Sequence, residues 1–307
     1  STIDLNGDNI KDLFVFDLRS NRISTFINNG TSGQIDYHYS PQYISSFPEF
    51  VNWVQLVDFN CDGKEDIFTD ANSGGIKVYL NVSTTAIQFV LFDSLLMSDY
   101  GSAIIANLYS SSHGLASFTD IDGDSDLDIL TPSVAPGINY HKNLSFDLYG
   151  TCDSLIFAMD DAEWGGIPFG GGGNEARHYL ALDMDADGDK DLLTNNVSNF
   201  SNYNLGTIKH YENNGTTLVA NLTLVQDSFP NANATAAVRG FAAAFAFDAD
   251  NDSKTDIIVS PLLNSLHNIN NSWFLKDTSS TALKSFDTVM DNFLCNGMID
   301  VGSGANV

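Results

Sequence analysis

An acidic run recurs five times along the chain. The copies are DLNGDNIKDLF from Asp4, DFNCDGKEDIF from Asp58, DIDGDSDLDIL from Asp120, DMDADGDKDLL from Asp183 and DADNDSKTDII from Asp248. Successive starts are 54, 62, 63 and 65 residues apart, and each copy reads D-x-[DN]-x-D-x-x-x-D before two apolar residues. Self-similarity at a fixed period marks a repeat architecture, in which one supersecondary unit buries its faces against its neighbours. The fold must therefore supply five equivalent places for one loop.

The rest of each repeat reads as strands. An I-x-x-aromatic-x-N segment follows the acidic run, as Ile23/Phe26/Asn28, Ile76/Tyr79/Asn81, Ile208/Tyr211/Asn213 and, with histidine at the aromatic position, Ile138/His141/Asn143; the fifth copy is degenerate around Ser272, Leu275 and Asp277. Further apolar stretches follow (86–92, 154–159, 217–221), and others lead into the next acidic run (50–57, 114–119, 178–182, 241–247). They are short, rich in β-branched and aromatic residues, and bounded by Gly, Ser and Asn. No long stretch has helical periodicity. The expected fold is all-β: a β-propeller of four-stranded blades over residues 1–307, with Asp-rich loops between strands. A β-solenoid is the alternative, although its repeats are usually shorter.

The loop spacing suits a hard cation. Oxygens at positions 1, 3, 5 and 9, with the backbone carbonyl of position 7, offer the all-oxygen set that calcium takes. The candidate ligands are Asp4, Asn6, Asp8, Ile10 (carbonyl) and Asp12; Asp58, Asn60, Asp62, Lys64 (carbonyl) and Asp66; Asp120, Asp122, Asp124, Asp126 (carbonyl) and Asp128; Asp183, Asp185, Asp187, Asp189 (carbonyl) and Asp191; and Asp248, Asp250, Asp252, Lys254 (carbonyl) and Asp256. About five Ca²⁺, one per repeat, are expected. An EF-hand is excluded, because position 12 is Val15, Thr69, Thr131, Thr194 or Val259 rather than Glu, and a strand begins at position 10. Position 6 is Asn9, Gly63, Ser125, Gly188 or Ser253; Gly and Asn suit a left-handed turn better than the serines do. Magnesium fits less well because it demands octahedral geometry, and thiol-seeking metals lack paired Cys or His.

Charge bears on the same point. Thirty-nine acidic residues face thirteen basic ones, for a net charge of −26. That excludes a nucleic-acid footprint and disfavours docking on an anionic membrane. Eighteen carboxylates occupy ligand positions, three in each of the first two loops and four in each of the others. Five divalent ions would offset ten charges. No apolar run is long enough to span a bilayer, so no direct membrane insertion is expected. Cys61, Cys152 and Cys295 imply no disulfide framework; a Cys152–Cys295 bridge is the pairing considered.

The loops resemble the calcium loops of FG-GAP/VCBS-type repeats, the propeller repeats also found in integrin α-subunit heads. DIDGDSDLDIL and DMDADGDKDLL lie close to that family's D-x-D-G-D-x-x-x-D-[LI] pattern, and I-x-x-Y-x-N looks like its third strand. The Phe-Gly and Gly-Ala-Pro elements are poorly kept, with traces at Phe169-Gly170 and in VGSGAN (301–306). Such propellers usually have seven blades, so the resemblance implies a portion of a longer propeller, with a closed five-blade ring as the alternative. The Asn-rich, Lys-poor character and DSL at 93–95 and 153–155 are similar to bacterial surface proteins exported by the type IX route.

Other candidates carry less. GGIPFGGGGNEAR (165–177) lacks the Lys-Ser/Thr of a phosphate loop and reads as an inter-strand loop that could shape a surface with Trp164 and Arg177. The histidines (His38, His113, His141, His178, His210, His267) are scattered, and His141 reads as packed core. Asp160, Asp161 and Glu163 read as an exposed acidic turn rather than a glycosidase pair. N-x-[ST] sequons include Asn81, Asn143, Asn196 and Asn270. The expected function is a non-enzymatic, calcium-stabilised extracellular or cell-surface propeller for adhesion or protein interaction. A protein or glycan ligand would be its partner. The alternatives are a carbohydrate-binding propeller and an accessory domain of a secreted hydrolase.

Overall fold

The computed structural model describes all residues except 19, 73, 111–113, 134–136, 168–177, 196–204, 232–234, 240, 264–271, 295–304 and 307. Five four-stranded antiparallel units follow one another, each pairing its strands in chain order. Blade 1 holds Thr2–Ile3, Asp12–Asp17, Arg22–Asn28 and Tyr37–Tyr39. Blade 2 holds Val54–Val57, Asp66–Asp70, Ile76–Asn81 and Phe89–Asp93. Blade 3 holds Ser117–Thr119, Asp128–Pro132, Ile138–Asn143 and Phe157–Asp161. Blade 4 holds Tyr179–Leu182, Asp191–Asn195, Ile208–Asn213 and Leu222–Gln226. Blade 5 holds Phe241–Phe247, Asp256–Leu263, Trp273–Asp277 and Phe286–Met290.

The first strand of every blade faces a central channel of about 300 Å³, lined among others by Thr2, Gln55, Ser117, His178 and Ala244. Hydrogen bonds step around it. Leu56 N–H donates to Ser1 Oγ (3.3 Å), Gln55 Nε2 to the Ala116 carbonyl (2.8 Å), and Tyr179 N–H to the Leu115 carbonyl (3.4 Å). Leu115 and His178 pair in parallel. Neighbouring inner strands thus run the same way, and each turn from first to second strand falls on the same face of the ring.

Blade 5 packs on blade 1. Gln34 N–H donates to the Asp250 carbonyl (3.0 Å), the Asn28 and Asn251 amides exchange hydrogen bonds (2.9 and 3.0 Å), and Leu13 and Phe26 share a core with Ile258 and Phe274. Ala305–Asn306 pairs with Asp17 and Phe16, in line with the inner strand of blade 1. The ring closes with five blades. The expectation of further blades gives way to the alternative, because the face of blade 1 that a sixth blade would cover is already buried against blade 5.

Burial explains the strand sequences. Second strands lie between neighbouring blades and are apolar on both faces: Leu13, Phe14, Val15 and Phe16 are all buried. Burying each phenylalanine side chain is worth roughly 2–3 kcal/mol. Fourth strands sit at the rim and expose apolar residues such as Val90, Leu91 and Phe92.

Three features depart from expectation. Blade 3 gains a hairpin, Met97–Asp99 with Ile105–Asn107, whose first arm joins Phe157–Asp161 in parallel to give six strands. The stretch 217–221, expected as a strand, is the exposed turn before the fourth strand of blade 4: Thr216 N–H donates to the Val219 carbonyl (2.9 Å), and Leu218 and Val219 face solvent. Cys152 is bonded to Cys61, not to Cys295, which lies outside the described residues. That bridge spans 91 residues and ties the acidic loop of blade 2 to the segment after the helix Ser145–Tyr149 of blade 3.

Candidate metal loops

Each acidic run joins the first strand of a blade to the second, as expected. The last Asp is the first strand residue: Asp12, Asp66, Asp128, Asp191 and Asp256. Position 6 is left-handed in every copy, including Ser125 (φ 82°) and Ser253 (φ 69°). Position 4 is left-handed too, at Gly7, Cys61, Gly123, Ala186 and Asn251. Four of these ten residues, Cys61, Ser125, Ala186 and Ser253, resist that conformation, at roughly 1 kcal/mol or more each. The carboxylates over-determine it. The position 1 aspartate gathers the loop's amides: Asp4 accepts from Gly7, Asp8 and Asn9 (2.7, 3.2 and 2.9 Å), and Asp120 from Gly123 and Ser125 (2.7 and 3.1 Å). Position 5 accepts the position 7 N–H in all five, from Asp8 with Ile10 (2.8 Å) to Asp252 with Lys254 (3.0 Å).

Position 9 acts as a staple. One oxygen accepts the N–H of position 2, from Leu5 (2.8 Å), Phe59 (3.3 Å), Ile121 (2.9 Å), Met184 (2.8 Å) and Ala249 (3.0 Å). The other accepts from the end of the third strand: Asn28 (2.8 Å), Asn81 (2.7 Å), Asn143 (2.8 Å), Asn213 (2.7 Å) and Asp277 (2.9 Å). The repeated asparagine thus gains a role that its sequence pattern does not reveal. Its amide anchors the loop, and its side-chain oxygen accepts an N–H two residues on, as at Gly30, Ser83, Ser145 and Gly215. Asn81 and Asn143 are buried in this work, so the sequons there are not open acceptors.

In three loops, one oxygen from each of positions 1, 3 and 9 lies within 4.8 Å of the others: Asp120/Asp122/Asp128, Asp183/Asp185/Asp191 and Asp248/Asp250/Asp256. In blades 1 and 2 position 3 is an amide, and Asn6 Nδ2 donates to Asp8 (2.9 Å). A carboxylate oxygen that accepts one N–H keeps a lone pair for an ion. Burial pushes the position 9 carboxyls up, Asp128 to about 8, Asp66 to about 7, and Asp12, Asp191 and Asp256 to about 6. Asp126 Oδ1, Asp189 Oδ1 and Asp250 Oδ1 are buried with no hydrogen-bond donor among the described residues. Asp126 and Asp189 are expected to contribute only carbonyls; burial, and then Asp124 or Asp187, raises their side-chain carboxyls, to about 7 and about 6. Orphaned oxygens in an all-oxygen set are what a hard divalent cation satisfies. These three triads can hold a metal ion.

A model described as FG-GAP-like repeat matches residues 4–69, the first loop through the second strand of blade 2. That match and the five-bladed ring together support an FG-GAP-type propeller. No curated protein matches it. The FG-GAP match spans the first two acidic loops, and the geometry above extends the same unit through the other three blades.

The other candidates fall out as follows. His141 and His178 are buried, His210 is partly so, and burial lowers all three to about 4; His141 Nδ1 pairs with Ser98 Oγ (2.9 Å) where the added hairpin covers blade 3. Asp160 and Asp161 are the exposed last residues of the strand Phe157–Asp161 rather than part of a turn, and Glu163 lies exposed just beyond it. Trp164 is buried in the core shared by blades 3 and 4 and shapes no surface. Residues 168–177, Asn196, Asn270, His113 and His267 lie outside the described residues. Among those described, no helix is long and apolar enough to cross a membrane.

Proposed function

We propose that this propeller is a calcium-stabilised, non-catalytic interaction module of an extracellular or cell-surface protein, serving adhesion to a protein or glycan. The observation that carries the reading is the repeated loop, whose buried carboxylates are knitted to two strands while oxygens of Asp126, Asp189 and Asp250 lack donors. About five Ca²⁺, one per blade, would meet that need, with positions 1, 3, 5 and 9 and the position 7 carbonyl as ligands. The Cys61–Cys152 bridge supports an oxidising compartment, where calcium is also abundant. An FG-GAP ring offers its exposed rim and loops as a scaffold for partner binding.

Each occupied site would add about 1–2 kcal/mol at millimolar calcium. Calorimetry should then show a fall in Tm on the order of 10 °C when EDTA replaces calcium. An unchanged Tm would sink the calcium claim. A metal count that stays the same after Asp185 and Asp187 are both changed to Ala would refute the ligand assignment.

A further inference from the structure

The residue before the strand-end asparagine (Asp277 in blade 5) differs among blades, and in blades 3 and 5 it reaches the loop's carboxylates. In blade 3 it is Lys142, whose Nζ lies 2.6 Å from Asp122, 3.3 Å from Asp124 and 2.8 Å from Asp147. In blade 5 it is Lys276, paired with Asp250 and 3.0 Å from Asp252. These amines sit against positions 3 and 5, where a metal would draw its charge. In blade 4 the same place holds Glu212. Glu212 lines a cavity of about 380 Å³ together with Asp185 and Asp191. The lysine on that wall, Lys284, has its amine 3.3 Å from Asp277. Among the described residues no lysine amine reaches the carboxylates of the blade 4 loop, while Asp189 Oδ1 is buried beside them without a donor.

We propose that this off-motif residue sets the order of cation affinity, making the blade 4 loop, with Glu212 at its cavity wall, the tightest divalent-cation site, while Lys142 and Lys276 serve loops 3 and 5 as built-in counter-ions. The proposal rests on the calcium reading above. An ammonium must leave before a divalent ion can take positions 3 and 5, and the entering ion then faces a nearby positive charge. In loop 4 the ion meets no such competitor and one more carboxylate. Blades 1 and 2 carry Ile27 and Leu80 at this place and fall between the two cases.

The test is calcium titration by isothermal calorimetry on the whole chain. Glu212→Lys should weaken the tightest class at least tenfold, and Asp185→Ala should abolish it. Lys142→Met and Lys276→Met should each convert a weak site to one about tenfold tighter. These two changes remove a partly exposed amine and keep the propeller's core, so they hold the proposal to account even where Glu212→Lys fails to fold. Calcium binding whose affinities are unmoved by the lysine and glutamate variants overturns this proposal alone. A wild-type chain that binds no calcium overturns the reading beneath it.

Discussion

The loops of blades 3 and 4 share all five of their aspartates and differ in the charge beside them. Both have aspartate at positions 1, 3, 5, 7 and 9, both place left-handed residues at positions 4 and 6, and both are stapled to a strand-end asparagine. Yet loop 3 is met by Lys142 and loop 4 by Glu212. Burial alone would lower the Lys142 ammonium, but Asp122, Asp147 and Asp124 hold it well above its usual range. Two jobs joined in one motif are thereby separate. Hydrogen bonds from backbone amides to the carboxylates shape the loop; the charge around the loop decides what it needs from solution.

The largest expected effect tests the shared scaffold. Asp128→Ala and Asp191→Ala should each cost about 3–5 kcal/mol in urea unfolding with calcium removed, because each strands two buried amides. A marked inequality between them would break the parallel. Chelation should then divide the two loops. In hydrogen exchange, removing calcium should speed the Asn213 amide by tenfold or more relative to the Asn143 amide, since loop 3 keeps its lysine; equal acceleration would dissolve the distinction.

A smaller effect concerns pH. The position 9 carboxyls titrate near 3.9 when unfolded and at about 6 to 8 when folded without metal. Their folded pKa is raised, so their contribution is complete below about pH 4 and is lost as pH climbs through 6 to 8. A bound cation favours the carboxylate and removes that loss. The Tm gain from calcium should therefore grow from pH 5.5 to pH 8; a gain that shrinks over this range contradicts the assignment. The smallest effect is local. Ala186→Gly in loop 4 and Ser125→Gly in loop 3 should each stabilise by about 0.5–1 kcal/mol in denaturant titrations, through relief of a left-handed side chain.

Much of this was legible in the sequence where the physics is local and periodic. Five spaced aspartate runs marked the repeats, the loop positions and the strand that follows each loop, while the number of blades in the ring stayed open between five and more. What the sequence hid depends on partners far along the chain. Lys142 looks like an ordinary surface charge on a strand until the fold sets it against Asp122. Cys61 and Cys152 meet only because adjacent blades pack side by side. Leu218 and Val219 read as strand by composition, since a hairpin tip and a strand can share residues and differ only in what covers them. The left-handed position 4 escaped because Cys61 and Ala186 do not announce it; the carboxylates around them impose it.

All five loops open on one face of the ring, and with them the eighteen carboxylates at ligand positions. That face of the ring is therefore strongly acidic. Emptied of cations, that face would repel acidic partners and draw basic ones at long range; filled, it would soften toward neutrality while the opposite face stayed unchanged. Calcium concentration would then set which way the molecule turns as it meets a charged surface, before any contact forms.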